Sequence, residues 1–211
     1  MTAGQAVHAA KLGIRMMQIL KHRDLVDVPW KNGGGITRSI AKGVVENAVV
    51  WTISRADVAQ DGPFSDFVGM ERILTIVSGG AMRLDTPASS LEAKLWAPVR
   101  FDGGLKINSH LADGSLTDLN LMFDPLRCTG DVVVRRGPLE QDAASPESGL
   151  LAYHVLSGGP TVDDNRLSNG DTIFCDDVGA VVELDEADAL LEIRLTYLDQ
   201  SEAIKLSIAT R

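Results

Sequence analysis

Apolar residues alternate with polar ones along most of this chain, in short runs rich in Val, Ile, Leu and Thr. A period of two over four to eight residues is the mark of a half-buried strand. The pattern predicts strands over 36–41, 49–58, 72–78, 105–111, 116–123, 131–135, 151–157, 181–184 and 190–198. Gly, Asp and Pro clusters separate them, among them Gly33-Gly34-Gly35, Asp61-Gly62-Pro63, Gly79-Gly80 and Gly158-Gly159-Pro160. Asp113-Gly114, between two apolar runs, is the strongest hairpin signal. Helical pattern is sparse: one turn over 24–28, and a short helix or another strand over 89–96. Many short strands at this spacing predict an all-β sandwich or small barrels.

Two pairs of segments resemble each other. ILTIVSGGAMRLD (73–85) matches LAYHVLSGGPTVD (151–163), and LTDLNLMFD (116–124) matches LLEIRLTYLD (190–199) with one residue of slippage. Two copies of one small β unit would leave this trace. LEQDAASPESG (139–149) is acidic, small and Pro/Ser-containing, as linkers are. The expected organisation is therefore a first unit over 16–138, a linker over 139–149, and a smaller second unit over 150–211 packed on the first. Residues 1–15 are expected to form a disordered N-terminal extension, without a secretory pattern.

Composition narrows the function. The chain has 211 residues, 45% of them apolar and 23% charged, which excludes wholesale disorder. Acidic residues outnumber basic ones by 29 to 20, for a net charge of −9. A phosphate backbone would be repelled, and no basic block offsets this, so no nucleic-acid partner is expected. No run approaches the 18 apolar residues of a spanning helix, so no membrane association is expected either. Cys128 and Cys175 are too few for a disulfide framework, and a reducing cytoplasm is the expected setting. Sheet edges would allow a homodimer.

Few motifs carry chemistry. His8, His22, His110 and His154 show no ligand spacing, so no metal or cofactor is expected. No nucleophile motif is present. The informative segment is Pro29-Trp30-Lys31-Asn32-Gly33-Gly34-Gly35-Ile36-Thr37-Arg38, which sets an aromatic, a cation, an amide and a hydroxyl around a flexible turn. Such a mixture suits either a ligand pocket or a lid over a barrel. In 116–123, Asp118 and Asn120 share one face. They face solvent if the strand is half-covered, and the unit's interior if both faces are covered. Glu192 and Arg194 hold the equivalent places in the second half, and their opposite charges suit a paired structural set. Phe64 and Phe67 look like plugs at a barrel end. Arg72 opens an apolar strand and, if buried, needs a partner, for which Asp118 is a candidate.

Three stretches together resemble the HutD/Ves family: PWKNGGGITR (29–38), WTISRADVAQDGPFSDFVGMERILTIVSGG (51–80) and FDGGLKINSHLADGSLTDLNLM (101–122). The resemblance implies a cytoplasmic bacterial bicupin, with two cupin-like (jelly-roll) β-barrels in one chain. It also implies a link to histidine utilisation or stress responses, and small-molecule binding rather than catalysis. Many cupins bind metal through His-x-His, a Glu and a later His, a set this chain lacks. Two departures stand out. Thr52 follows the strand tryptophan where the family usually has Arg, and Phe123-Asp124-Pro125 precedes Arg127 where basic residues are common. If those family arginines serve an anionic ligand, this member would take a different one.

The leading expectation is a metal-free bicupin that binds a small polar metabolite, in the simplest case a carboxylate. Trp30 and Phe64 would supply apolar walls, and Lys31 and Arg72 positive charge. Asn32, Thr37, Ser54, Asp118 and Asn120 would orient the ligand by hydrogen bonds. No catalytic residue is assigned. The alternatives are a metal-independent isomerase or lyase using Asp118 as acid or base, a ligand-free interaction module, and a cupin holding metal through irregular ligands.

Overall fold

The structure, a computed structural model, describes residues 17–175, 178–198 and 204–209. The expected N-terminal extension and His8 lie outside the described residues. In chain order the strands are β1 (Gln18–Leu20), β2 (Val28–Pro29), β3 (Gly35–Val45), β4 (Ala48–Val58), β5 (Gly62–Pro63), β6 (Glu71–Ser78) and β7 (Met82–Asp85). There follow β8 (Ser90–Ala93), β9 (Val99–Asp102), β10 (Asn108–Leu111), β11 (Leu116–Phe123), β12 (Cys128–Arg136), β13 (Leu139–Ala143) and β14 (Gly149–Ser157). The last are β15 (Thr161–Val162), β16 (Asn165–Arg166), β17 (Thr172–Phe174), β18 (Ala180–Leu184), β19 (Ala189–Tyr197) and β20 (Lys205–Ile208). Among the described residues one helical turn occurs, at His22–Asp24, two residues before the predicted one.

The strands form two sandwiches. In the first, a seven-stranded sheet (β2-β3-β4-β11-β6-β9, with β20 beside β3) faces a four-stranded sheet (β5-β10-β7-β8). In the second, a five-stranded sheet (β1-β17-β14-β19-β12) faces β13-β18-β15-β16. The all-β architecture is therefore the one the alternation predicts, and the jelly-roll sheets are those the family resemblance implies. Each sandwich has its own core, Leu74, Ile76, Met82 and Leu84 in the first and Leu151, Val155, Ile173 and Leu190 in the second. A third core joins Ile53, Leu119 and Leu121 to Ala152, Leu191 and Ile193, so the two large sheets pack against each other. Each such side chain contributes about 1.5–3 kcal/mol by leaving water.

That third core decides the fate of β11. All eight of its residues are buried, because the other sheet covers one face and the first sandwich encloses the other. Leu119 and Leu121 point to the joint between the sheets; Asp118 and Asn120 point into the first sandwich.

Three expectations need correction. The segment 139–149 is not all linker: Leu139–Ala143 is β13, paired along its length with β18, since its apolar ends fall on the ladder's inner face. The division at 138 is not followed by strand pairing either. β1 and β12 belong to the second sandwich's large sheet, and β20 returns to pair with β3 in the first. Asp113-Gly114 does turn, with Gly114 at φ +85°, but it makes no hairpin. β10 pairs with β5 and β7 while β11 pairs with β4 and β6, so this turn is a corner between two sheets.

Candidate functional site

The interior of the first sandwich is not filled. A cavity of about 600 Å³ opens into it, lined by all nine residues singled out above: Trp30, Lys31, Asn32, Thr37, Ser54, Phe64, Arg72, Asp118 and Asn120. Strand register explains much of the convergence. Asn120 sits across from Ser54 on β4, and Met122 across from Arg72 on β6. Period two then places Asp118, Asn120, Ser54 and Arg72 on one inner surface.

At the cavity floor, three side chains are linked. Arg72 is buried, at 7% exposure, and its Nε donates to Asn120 Oδ1 at 2.7 Å. Asn120 Nδ2 in turn donates to Asp118 Oδ1. The carboxylate partner expected for Arg72 is thus reached through an amide. One acid oxygen is left over: Asp118 Oδ2 is buried without a partner. Burial pushes the Asp118 carboxyl up to about 6, against the opposing pull of Arg72 and of the Asn120 hydrogen bond. Burial also lowers the Arg72 pKa, but a guanidinium starts so high that it stays charged. Two rings cover that charge, Phe64 at 4.6 Å and Phe101 at 5.5 Å from the guanidinium carbon. The terminal amino groups of Arg72 have no protein acceptor among the described residues.

The rim is built by the glycine turn. Gly33 takes a left-handed φ of +71°, and Gly35 packs so closely that a Cβ there would stand 2.3 Å from the Asp57 carbonyl and 3.0 Å from the Trp30 ring. Trp30 can therefore lie over Gly35, and its Nε1 donates to Thr37 Oγ1 at 2.7 Å. The Thr37 oxygen is thus engaged in holding Trp30. Asn32 Oδ1 accepts from the Gly34 N–H at 3.0 Å, which leaves its amide nitrogen for the cavity. Lys31 is exposed at the mouth. Phe64 and Phe67, expected as plugs, are walls of the cavity.

Sequence reasoning missed Pro29, Ala56, Pro63, Ser65 and Met122 as lining residues, and Phe101 beneath Arg72. Met122 was signalled by the same alternation that singles out Asp118 and Asn120. Phe101 comes from β9 and carries no such signal.

The second sandwich handles its equivalent acid differently. Glu192 is buried, at 3%, and is met directly by Arg135 Nε at 2.8 Å and Arg194 Nε at 2.7 Å. Burial pushes this carboxyl up, but the two hydrogen-bonded arginines outweigh it and hold it below the usual range. Here the interior is packed by Leu151, Tyr153 and Val155.

Among the described histidines, His22 lies near enough to His154 to help lower its pKa, while His110 stands apart in the first sandwich. His154 is fully buried, bonded through Nδ1 to Thr172 Oγ1 at 2.9 Å, and burial pushes it down to about 3, so it is neutral. His110 is acid-flanked in space though not in sequence, with Asp61 at 3.1 Å and Asp85 at 3.4 Å. The cavity itself offers one carboxylate beside a buried guanidinium, with no His or Cys among the described residues on its walls. Among the described residues no group of three His, Cys, Asp or Glu could hold a metal ion. The donor set does not fit a divalent cation, which Arg72 would repel.

The HutD family model matches residues 22–191, a span that includes the whole cavity floor. The chain belongs to the HutD family. An uncharacterised 21.2 kDa protein from the hutC 3′ region of Pseudomonas putida is 34% identical over 114 residues, 53% of this chain and 60% of that protein. Protein Ves of Citrobacter koseri is 34% identical over 108 residues, 50% of this chain and 56% of its own. The chain thus spans somewhat over half the length of these curated relatives. HutD from Pseudomonas fluorescens SBW25 superposes with a TM-score of 0.76 at 25% identity, covering 87% of this chain and 100% of that one. A nickel(II)-bound bacterial pirin of Escherichia coli, at 8% identity and a TM-score of 0.66 over 85% of this chain and 98% of that one, shares the fold alone. HutD/Ves proteins and this chain share the cupin fold. Among the described residues no helix is long and apolar enough to cross a membrane.

Proposed function

We propose that this HutD-family chain binds a small polar carboxylate in the first sandwich. One observation carries the reading: Arg72 presents free terminal amino groups to a cavity of about 600 Å³ whose walls include Trp30, Phe64, Phe67 and Met122. A guanidinium in a poorly solvated site takes a carboxylate through two parallel hydrogen bonds. Apolar walls with few placed polar groups are what small-ligand sites have. Ser54 and the Asn32 amide stand where they can orient the rest of the molecule, and Lys31 at the mouth attracts anions. The HutD/Ves resemblance, with its implied link to histidine utilisation in the cytoplasm, makes a carboxylate from histidine breakdown the class of ligand to test first.

The test is thermal unfolding against histidine-breakdown intermediates and other small carboxylates. A ligand at 100 times its dissociation constant adds about 2.7 kcal/mol. For a chain of this size the midpoint rises by roughly 5–10 °C. The rise should vanish in Arg72→Ala. No rise with any carboxylate sinks the reading and favours an interaction module.

A second reading has one observation in its favour. Asp118, buried and pushed up to about 6, has the proton affinity of a general acid or base. A metal-independent isomerase or lyase would consume a bound carboxylate, which NMR of each compound with catalytic amounts of protein would reveal.

A further inference from the structure

The cavity floor holds one cation and one carboxylate. Asp118 sits on β11 and Arg72 on the adjoining β6, joined through Asn120. Among the described residues no other charged side chain lines the cavity except Lys31 at its exposed mouth. Across the sheet, Asp57 of β4 adds negative potential at Asp118, although its own carboxylate is held by Arg38 at 2.7 Å and Thr117 at 2.8 Å. Arg55 lies beside Asp57 on that far face. Without a ligand, the charges of Arg72 and an ionised Asp118 balance.

We propose that the cavity takes up one proton with each anion it binds, and that Asp118 Oδ2 receives it. The proposal rests on the pocket reading above. An anion seated on the terminal amino groups of Arg72 takes over the guanidinium as its counter-charge. Asp118 would then be a second negative charge beside the first, buried, with an oxygen that nothing donates to. Two like charges in one poorly solvated site cannot both persist, and one is neutralised by a proton. Asp118 is the group that yields, because it is fully buried and its carboxyl is already displaced to about 6 by burial. The proton comes from solvent, forms the Oδ2–H bond, and leaves when the anion leaves. No bond within the ligand forms or breaks. Binding is thereby coupled to pH: the same anion is held more firmly in mildly acidic than in alkaline solution. Glu192 is denied this behaviour by its two arginines.

The probes are benzoate, an anion with an apolar ring suited to the Trp30 and Phe64 walls, and benzamide, its uncharged isostere. Calorimetric titration of the full chain at pH 7.5, in phosphate and in Tris, reads proton uptake from the difference in apparent enthalpy. Benzoate should bring in close to one proton and benzamide none. Benzoate affinity should fall about tenfold per pH unit between pH 7 and 9, the slope of one linked proton. In Asp118→Asn, benzoate should bind with no uptake and a flat profile. If that variant does not fold, the carboxyl resonance of Asp118 in the wild type serves instead: saturating benzoate should raise its titration midpoint by about three units or more, the shift that a one-proton slope up to pH 9 requires. Benzoate binding without proton uptake overturns the proposal and leaves the pocket reading standing. Benzamide taking up a proton as benzoate does also overturns it. Failure of benzoate and of every carboxylate in the unfolding panel to bind overturns the pocket reading and this proposal together.

Discussion

The ring of Phe64 stands 4.6 Å from the guanidinium carbon of Arg72, so the cavity's buried cation has an aromatic face against it. The ring screens the guanidinium from water and favours its charged form. A desolvated contact of this kind contributes about 1–2 kcal/mol. Phe64→Leu keeps an apolar wall and removes the π-face. It should weaken carboxylate binding by roughly five- to thirtyfold, measured by calorimetry, with little change in urea midpoint because Phe64 is only partly buried.

Asn120 holds two buried ionisable groups at once. Asn120→Ala leaves Arg72 Nε without its acceptor and Asp118 Oδ1 without its donor. Unsatisfied buried charged groups cost several kcal/mol, so a loss of about 3 kcal/mol in urea unfolding is expected. The thermal midpoint should drop by roughly 6–12 °C. A loss below about 1 kcal/mol would show that water fills the gap.

Asp118 and His154 should oppose each other in acid. Asp118 is raised to about 6, so between its unfolded value of about 4 and 6 the folded protein binds the extra proton and acidification stabilises it. His154 is lowered to about 3, so between about 6.5 and 3 the unfolded chain binds the extra proton and acidification destabilises. The two contributions cancel over roughly pH 4–6. Stability followed by urea unfolding should show the slope steepen downward toward acid in Asp118→Asn. At pH 7.5 that variant should gain on the order of 2 kcal/mol over the wild type.

The converse variant tests the other limb. His154→Gln keeps a hydrogen-bonding partner for Thr172 and cannot titrate. It should lose most of the acid sensitivity between pH 6.5 and 3, worth on the order of 4 kcal/mol at the acid end. An unchanged acid limb would mean that His154 is protonated in the folded protein.

Glu192→Gln should destabilise at pH 7 by leaving Arg135 and Arg194 without a counter-charge. Because the Glu192 carboxyl is held below its unfolded value, its contribution is present above about pH 4.5 and lost as pH falls through the folded value. The gap between variant and wild type in urea unfolding should therefore close in acid.

Much of this was legible along the chain. Period-two alternation identified β4, β6, β11, β14 and β19, because a strand with one apolar face writes its orientation into successive residues. The same alternation put Asp118 and Asn120 together, and the turn Gly33-Gly34-Gly35 marked the close packing of Trp30. What failed was partner choice. Asp113-Gly114 reads as a hairpin locally, yet its flanking strands belong to different sheets. β1, β12 and β20 pair outside the unit their position suggests, because ladder hydrogen bonds are backbone contacts that leave no mark on side-chain type.

The sequence by itself determined the fold class and the strands that carry the cavity, and it singled out nine of the residues that line it, since each depends on local alternation, turn chemistry or family motifs. Only the tertiary structure decided which interior is open and which is filled. It also decided that Asp118 meets Arg72 through an amide while Glu192 meets two arginines directly. The charge state of a buried acid is set by what surrounds it in three dimensions, and those neighbours come from strands far apart in the chain.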